Sequence, residues 1–211
     1  MARNKYPEQT VQLILETAAK LFLQQGYEKT TLQDIINATG LSKGAIYHHF
    51  ASKEAILITV VNRMGDFNST VLAEIRDKKG LTGAEKLRQV FRTSVKLSFQ
   101  GGIIHMMPYL IDNPQFLTLQ VKSIFEEAVP YYVLPIVQQG IDDGSIQAEH
   151  PEALSEVLLI LADIWLHPVL RRSTPEQVRD RCAFFNHFTR QYGFELLEPD
   201  LIDTIASFCQ P

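Results

Sequence analysis

The sequence predicts an all-α protein: an N-terminal three-helix domain with a helix-turn-helix at residues 1–51, followed by a larger helical domain at 52–211. Two observations carry this prediction. Apolar residues recur at three- and four-residue steps along almost the whole chain rather than alternating, which is the period of a helix with one buried face. Helix start and stop signals also punctuate the chain at regular intervals, with no internal repeat, low-complexity tract or flexible linker between them.

In the first element Val11, Ile14, Leu15, Ala18, Leu21 and Phe22 form one stripe, Pro7 suits a first turn, and Gly26 suits a left-handed helix end. Thr31 offers an N-cap before Leu32–Ala38, with Asp34 adding negative charge in the first turn. Gly40 marks a corner, Ser42 caps a short helix to about His49, and Ser52 caps a longer one to about Lys79. The body continues with Thr82–Gln100, a short segment Ile103–Ile111, and a long helix Pro114–Gln139 that Pro130 and Pro135 should kink or interrupt. Pro151–Leu166 is the most hydrophobic helix. Thr174, Pro175 and Gln177 make a capping box for the next one, which runs to Tyr192, and Asp200–Phe208 closes the fold.

Composition narrows the function. The chain has 211 residues, 45% apolar and 21% charged, which are globular proportions. The net charge of −4 hides an asymmetry: residues 1–65 carry seven Lys/Arg against five acids, and the remainder 13 against 19. A basic head on an acidic body lets one face meet phosphates. Cys182 and Cys209 have neither metal-ligand nor redox spacing and read as thiols in a reducing compartment. The first residues lack an apolar signal core, and Val157–Leu166, broken by Asp163, is too short to span a bilayer. A cytoplasmic location is the expectation. No nucleophile elbow, phosphate loop, metal-ligand set or carboxylate pair is present, so an enzyme is not expected, and no cofactor is implied.

The densest pattern is TTLQDIINATGLSKGAIYHHF, Thr30 to Phe50. Leu32, Ile35 and Ile36 supply the inner face of one short helix, Leu41 and Ile46 that of the next, and Gly40 the corner between them. Lys43, Gly44, Ala45, Tyr47 and His48 are left facing outward, where such residues donate to phosphates, bond base edges or touch thymine methyls. Ser42 places a helix N-terminus, favourable to anions, at the same face, and Lys53 flanks it. A metal pair at His48 and His49 is disfavoured, because adjacent helical residues diverge by roughly 100°.

Gly26–Leu57, GYEKTTLQDIINATGLSKGAIYHHFASKEAIL, resembles the DNA-binding segment of TetR-family transcriptional regulators. The resemblance rests on Gly-aromatic, Thr-Thr, Gly-Leu-Ser-Lys-Gly, Tyr-x-His-Phe and Lys-Glu-x-Leu at matching spacings, over about a quarter of the chain. It implies that Tyr47, Lys53 and Thr31 contact phosphates, that Lys43, Gly44, Ala45 and His48 face the major groove, and that Phe22, Leu41, Ile46 and Phe50 are core. Ile36 and Thr39 depart from the family pattern. The resemblance further implies a repressor that acts as a homodimer built on Pro151–Leu166 and Pro175–Tyr192, a palindromic double-stranded DNA operator, and release by a small lipophilic effector. The dimer has an independent argument. Leu158, Leu159, Leu161, Ala162, Trp165 and Leu166 are too many apolar residues to fit inside one monomer core.

Effector-binding candidates are Phe99, His105, Met106, Tyr109, Phe125, Tyr132 and Trp165, a mixture of adaptable and polar side chains suited to a cavity. A packed core histidine is the competing reading of His105. Asp163 has three readings: paired with a buried base, paired with a cationic ligand, or facing solvent. Competing functions are a protein–protein module or a small-molecule-binding protein without DNA binding.

Overall fold

The computed structural model describes residues 7–100, 109–110, 114–168, 170 and 173–209, with the side chains at 7, 64–68, 98–100 and 115 outside that description. Every regular element among the described residues is helical: α1 (Pro7–Gln25), α2 (Leu32–Thr39), α3 (Lys43–His49), α4 (Lys53–Asp77), α5 (Gly83–Gln100), α6 (Pro114–Ser123), α7 (Leu134–Asp142), α8 (Pro151–Ile160), α9 (Pro175–Arg190) and α10 (Pro199–Ala206). Two π-helical stretches, π1 (Ile124–Val133) and π2 (Leu161–Trp165), continue α6 and α8. The chain forms two compact units, Met1–Phe67 and Asn68–Pro211.

In the first unit the predicted stripe of α1 becomes core. Ile14, Leu15, Ala18 and Phe22 are buried with Ile35, Ile46, Phe50, Ile56 and Leu57, while Val11, Leu21 and Leu41 are half-buried. Helix ends follow local chemistry. Gly26 and Gly40 stop α1 and α2 in the left-handed region, at φ 86° and 67°, which a side chain would resist. The Gly40 N–H donates to the Ile36 carbonyl at 3.0 Å. Ser52 Oγ accepts from the Ala55 N–H and opens α4.

The second unit is organised by a close helix crossing. A Cβ added to Gly83 would lie 2.3 Å from the Gly140 Cα, so α5 and α7 approach at a distance that only glycine permits. The buried Lys86 ammonium, one turn further on, donates to the Gln139 side chain at 2.6 Å and to the Arg76 carbonyl. Phe91, Val133, Ile136, Leu158, Val178, Phe185 and Leu201 fill the core. Asn186 replaces one stretch of missing backbone pairing. Its Nδ2 donates to the Leu197 carbonyl at 2.7 Å and its Oδ1 accepts from the Leu197 N–H at 2.9 Å.

Two prolines act less abruptly than expected. Pro130, lacking an N–H, is absorbed in π1, where the following Leu134 N–H reaches back to the Val129 carbonyl. Pro135 sits in the first turn of α7, where a missing donor costs nothing. The predicted single helix Pro151–Leu166 is α-helical only to Ile160 and widens at π2, where the Leu166 N–H donates to the Leu161 carbonyl at 2.8 Å. Most of the predicted segment Ile103–Ile111 lies outside the described residues, apart from Tyr109 and Leu110.

Candidate nucleic-acid interface and effector cavity

The helix-turn-helix is held by reciprocal capping. The Asp34 N–H donates to Thr31 Oγ1 at 3.1 Å, while the Thr31 N–H and hydroxyl both donate to Asp34 Oδ2 at 2.8 Å. The two bonds from Thr31, backbone first, hold the Asp34 carboxyl below the usual carboxylate range. Ser42 Oγ accepts from the Ala45 N–H at 3.2 Å and starts α3 two residues after Gly40.

With Ile46 turned fully inward, α3 presents Lys43, Gly44, Tyr47 and His48 on its exposed face. Tyr47 is 46% exposed, well beyond what an aromatic normally shows to water without a partner. Lys43 Nζ lies 5.7 Å from the Tyr47 ring centroid, so charge and ring share one patch. Gly44 leaves open space, its nearest potential Cβ neighbour being Ser42 Oγ at 4.0 Å. Thr31 and Ser42 are exposed as well, but each already spends its oxygen as a cap. Ala45 is half-buried. The His48 and His49 rings meet edge to face, centroids 5.0 Å apart, with His48 exposed and His49 half-buried. Among the described residues no group of three His, Cys, Asp or Glu side chains gathers to hold a metal.

Lys53 is placed differently from the other predicted contacts. Its ammonium donates to the Tyr27 carbonyl at 2.7 Å and the Thr30 carbonyl at 2.8 Å, and sits 4.0 Å from the Tyr27 ring centroid. Burial lowers its pKa, which the Glu28 carboxylate partly offsets. These partners take two of the three donors of the ammonium that the resemblance assigned to phosphate, so Lys53 also ties the α1–α2 turn to the start of α4. This role is not legible in the residue pattern, because a lysine's carbonyl partners have no residue signature.

In the second unit a cavity of about 100 Å³ lies between α5 and the π2 region. Phe91 and Val95 line it from α5, Leu159 and Leu166 from the α8–π2 stretch, and Leu197 and Ile205 from the C-terminal segment. Its polar groups are Ser94, Asp163 and His167. Asp163 has accessible surface, yet protein surrounds it deeply enough to push its carboxyl up to about 6. Its exposed surface lets water moderate that rise. Burial also brings the His167 imidazole down to about 4.

None of the sequence candidates whose side chains are described lines this cavity. Tyr109 and Phe125 are exposed, Tyr132 is half-buried near Arg76, and Trp165 packs edge to face on Phe184 at 5.6 Å. His105, Met106 and the Phe99 side chain lie outside the described residues. The useful signal was Asp163 and His167, two polar residues four apart at the end of an apolar helix.

The apolar surface of α8, π2 and α9 also differs from expectation. Leu158, Leu159 and Leu166 are buried within the chain, and Leu161, Ala162 and Trp165 are half-buried, so one protomer houses much of the apolar surface that was expected to need a partner. One helix face wraps further around the core than the count allowed. The exposed residues are instead Val157, Ile164 and Phe184, the last 56% exposed.

Comparison with known proteins agrees with the fold and the motif. Residues 14–60 match the family model "Bacterial regulatory proteins, tetR family". The chain is 32% identical over 119 residues to the uncharacterized HTH-type transcriptional regulator YuxN of Bacillus subtilis, covering 56% of the chain and 35% of that protein's length. It is 26% identical over 153 residues to the HTH-type transcriptional repressor AcnR of Corynebacterium glutamicum, covering 72% of the chain and 76% of AcnR. The crystal structure of a transcriptional regulator from Cytophaga hutchinsonii superposes with a TM-score of 0.67 at 18% identity, covering 95% of this chain and 92% of the other. No helix among the described residues is long and apolar enough to cross a membrane.

Proposed function

The chain belongs to the TetR family of bacterial regulatory proteins, and from that premise we propose that it is a ligand-responsive repressor that binds a palindromic operator as a homodimer. The observation that carries this reading is the exposed face of α3, where Lys43, Gly44, Tyr47 and His48 stand together on a helix whose opposite side is core. In a major groove, Lys43 supplies charge to phosphate or base, Tyr47 a hydroxyl to phosphate, and His48 a hydrogen bond to a base edge. Gly44 allows close backbone approach. Thr31 and Ser42 fix the two helix starts that set the docking angle, and Lys53 supports the turn behind them.

One seven-residue helix reads too few base pairs for specificity, and a two-fold dimer doubles the site across successive major grooves about 34 Å apart. The exposed Val157, Ile164 and Phe184 supply an apolar face for that pairing. The effector site of this reading is the cavity beside π2. A small molecule that binds one conformation of the second unit better than the other shifts the DNA-binding equilibrium by that difference in affinity.

The test is fluorescence anisotropy with palindromic duplexes from the protein's own upstream region, against a scrambled duplex at matched salt. Saturable binding that prefers the palindrome by at least about 10³-fold supports specific recognition. Equal affinity for both duplexes contradicts it.

A further inference from the structure

We propose that the cavity beside π2 binds a small organic cation, an ammonium or amidinium on a short apolar body, with the Asp163 carboxylate as its counter-ion. This rests on the regulator reading above and names the chemical class of its effector.

The cavity wall is apolar on three sides, through Phe91 and Val95, Leu159 and Leu166, and Leu197 and Ile205. Among the described residues Asp163 and His167 are the titratable side chains that line it, and Asp163 has no ion pair or hydrogen bond among them. Asp163 keeps accessible surface, so its carboxylate is open to an entering ligand, and the apolar side chains lining the same cavity strengthen its attraction for a cation. Burial keeps His167 neutral near pH 7, so among the described residues lining the cavity none brings a positive charge to Asp163. A lipophilic acid, the opposite choice, would set two carboxylates against each other in a poorly solvated space.

Size limits the body of the ligand. A cavity of about 100 Å³ suits a ligand of a few non-hydrogen atoms or the head of a longer one. The wall that carries Asp163 is also the part of the helix that departs from α geometry, and π turns recur where a helix is shaped around a site. The next residue, Ile164, lies on the exposed apolar face, and Trp165 packs on Phe184. One five-residue turn therefore connects the cavity with the surface proposed for pairing. Filling the cavity and neutralising Asp163 would act on that turn first.

The experiment uses the full chain and three probes of one shape, n-butylammonium, butyrate and n-butanol, in thermal-shift and calorimetric titrations. The expected result is binding of butylammonium at least about tenfold tighter than either control. Asp163→Asn should weaken it by about tenfold or more while keeping the cavity's shape. Ser94→Leu, which fills the cavity but keeps the carboxylate, should abolish binding. Equal affinity for the three probes, no binding by any, or unchanged ammonium affinity in Asp163→Asn overturns the proposal. Operator binding is measured in parallel without probes. Intact DNA binding beside absent ammonium binding sinks the cation assignment and leaves the regulator reading in place. Ammonium binding without DNA binding does the reverse.

Discussion

Lys53 and Tyr27 meet twice: the lysine ammonium donates to the tyrosine carbonyl at 2.7 Å and rests 4.0 Å from the centre of the same residue's ring. With the further bond to the Thr30 carbonyl, it fixes the residue immediately before the α2 cap. Lys53→Met should therefore lower stability by about 1–3 kcal/mol, since it removes the ammonium from the Tyr27 and Thr30 carbonyls, of which the first keeps the Thr30 N–H, and loses a cation–π contact. Its operator affinity should fall without a change in salt slope. Urea unfolding and anisotropy titrations at several salt concentrations separate this from a phosphate contact, whose loss would reduce the slope by about one.

Gly83→Ala tests the crossing of α5 and α7. Its methyl would meet backbone atoms of Gly140 at 2.3 Å, and backbone cannot rotate aside as a side chain can. Overpacking of this kind costs about 1–3 kcal/mol or more. The melting temperature should drop clearly. Gly40→Ala is a useful contrast, because it meets open space and pays only for its left-handed backbone, about 1 kcal/mol.

Phe184→Glu places a charge on the most exposed aromatic of α9. Analytical ultracentrifugation should show a shift from dimer to monomer with helix content preserved. Operator affinity should fall by roughly the factor expected from losing one of two half-sites. A dimer that survives the substitution would move the interface elsewhere.

Local features of this chain are legible in its sequence, and distant ones are not. The Thr31–Asp34 and Thr174–Gln177 caps, Gly26, Gly40 and the outward set Lys43, Tyr47 and His48 depend on neighbours within four residues, so spacing alone identifies them. The role of Lys53 depends on carbonyls 23 and 26 residues away. The Gly83–Gly140 approach and the cavity join residues from separate helices, and helical periodicity says which face is buried but not what it meets. The π2 turn is invisible for another reason: a shift of backbone bonding from four to five residues leaves no mark in side-chain pattern.

Asp163→Asn should raise stability, and the gain should depend on pH. A folded-state pKa raised from 3.8 to about 6 means that the native protein favours the protonated acid. Its stabilising contribution is complete below the unfolded value and is lost as pH rises through about 6. The variant's advantage in melting temperature should therefore be small at pH 4.5 and full at pH 7.5. His167 works in the opposite sense, its neutral form favouring the fold above the unfolded value and that benefit fading as pH falls toward about 4. It is present in both proteins, so the difference isolates Asp163.

Whether the outer face of α3 holds operator DNA is decided by Lys43→Ala and Tyr47→Ala in salt-dependent anisotropy titrations. Wild-type protein should bind one palindromic duplex tightly, each variant should lose affinity by at least about tenfold, and the salt slope should fall by about one for Lys43→Ala. Wild-type affinity and an unchanged slope in both variants, with the fold intact by circular dichroism, would contradict it.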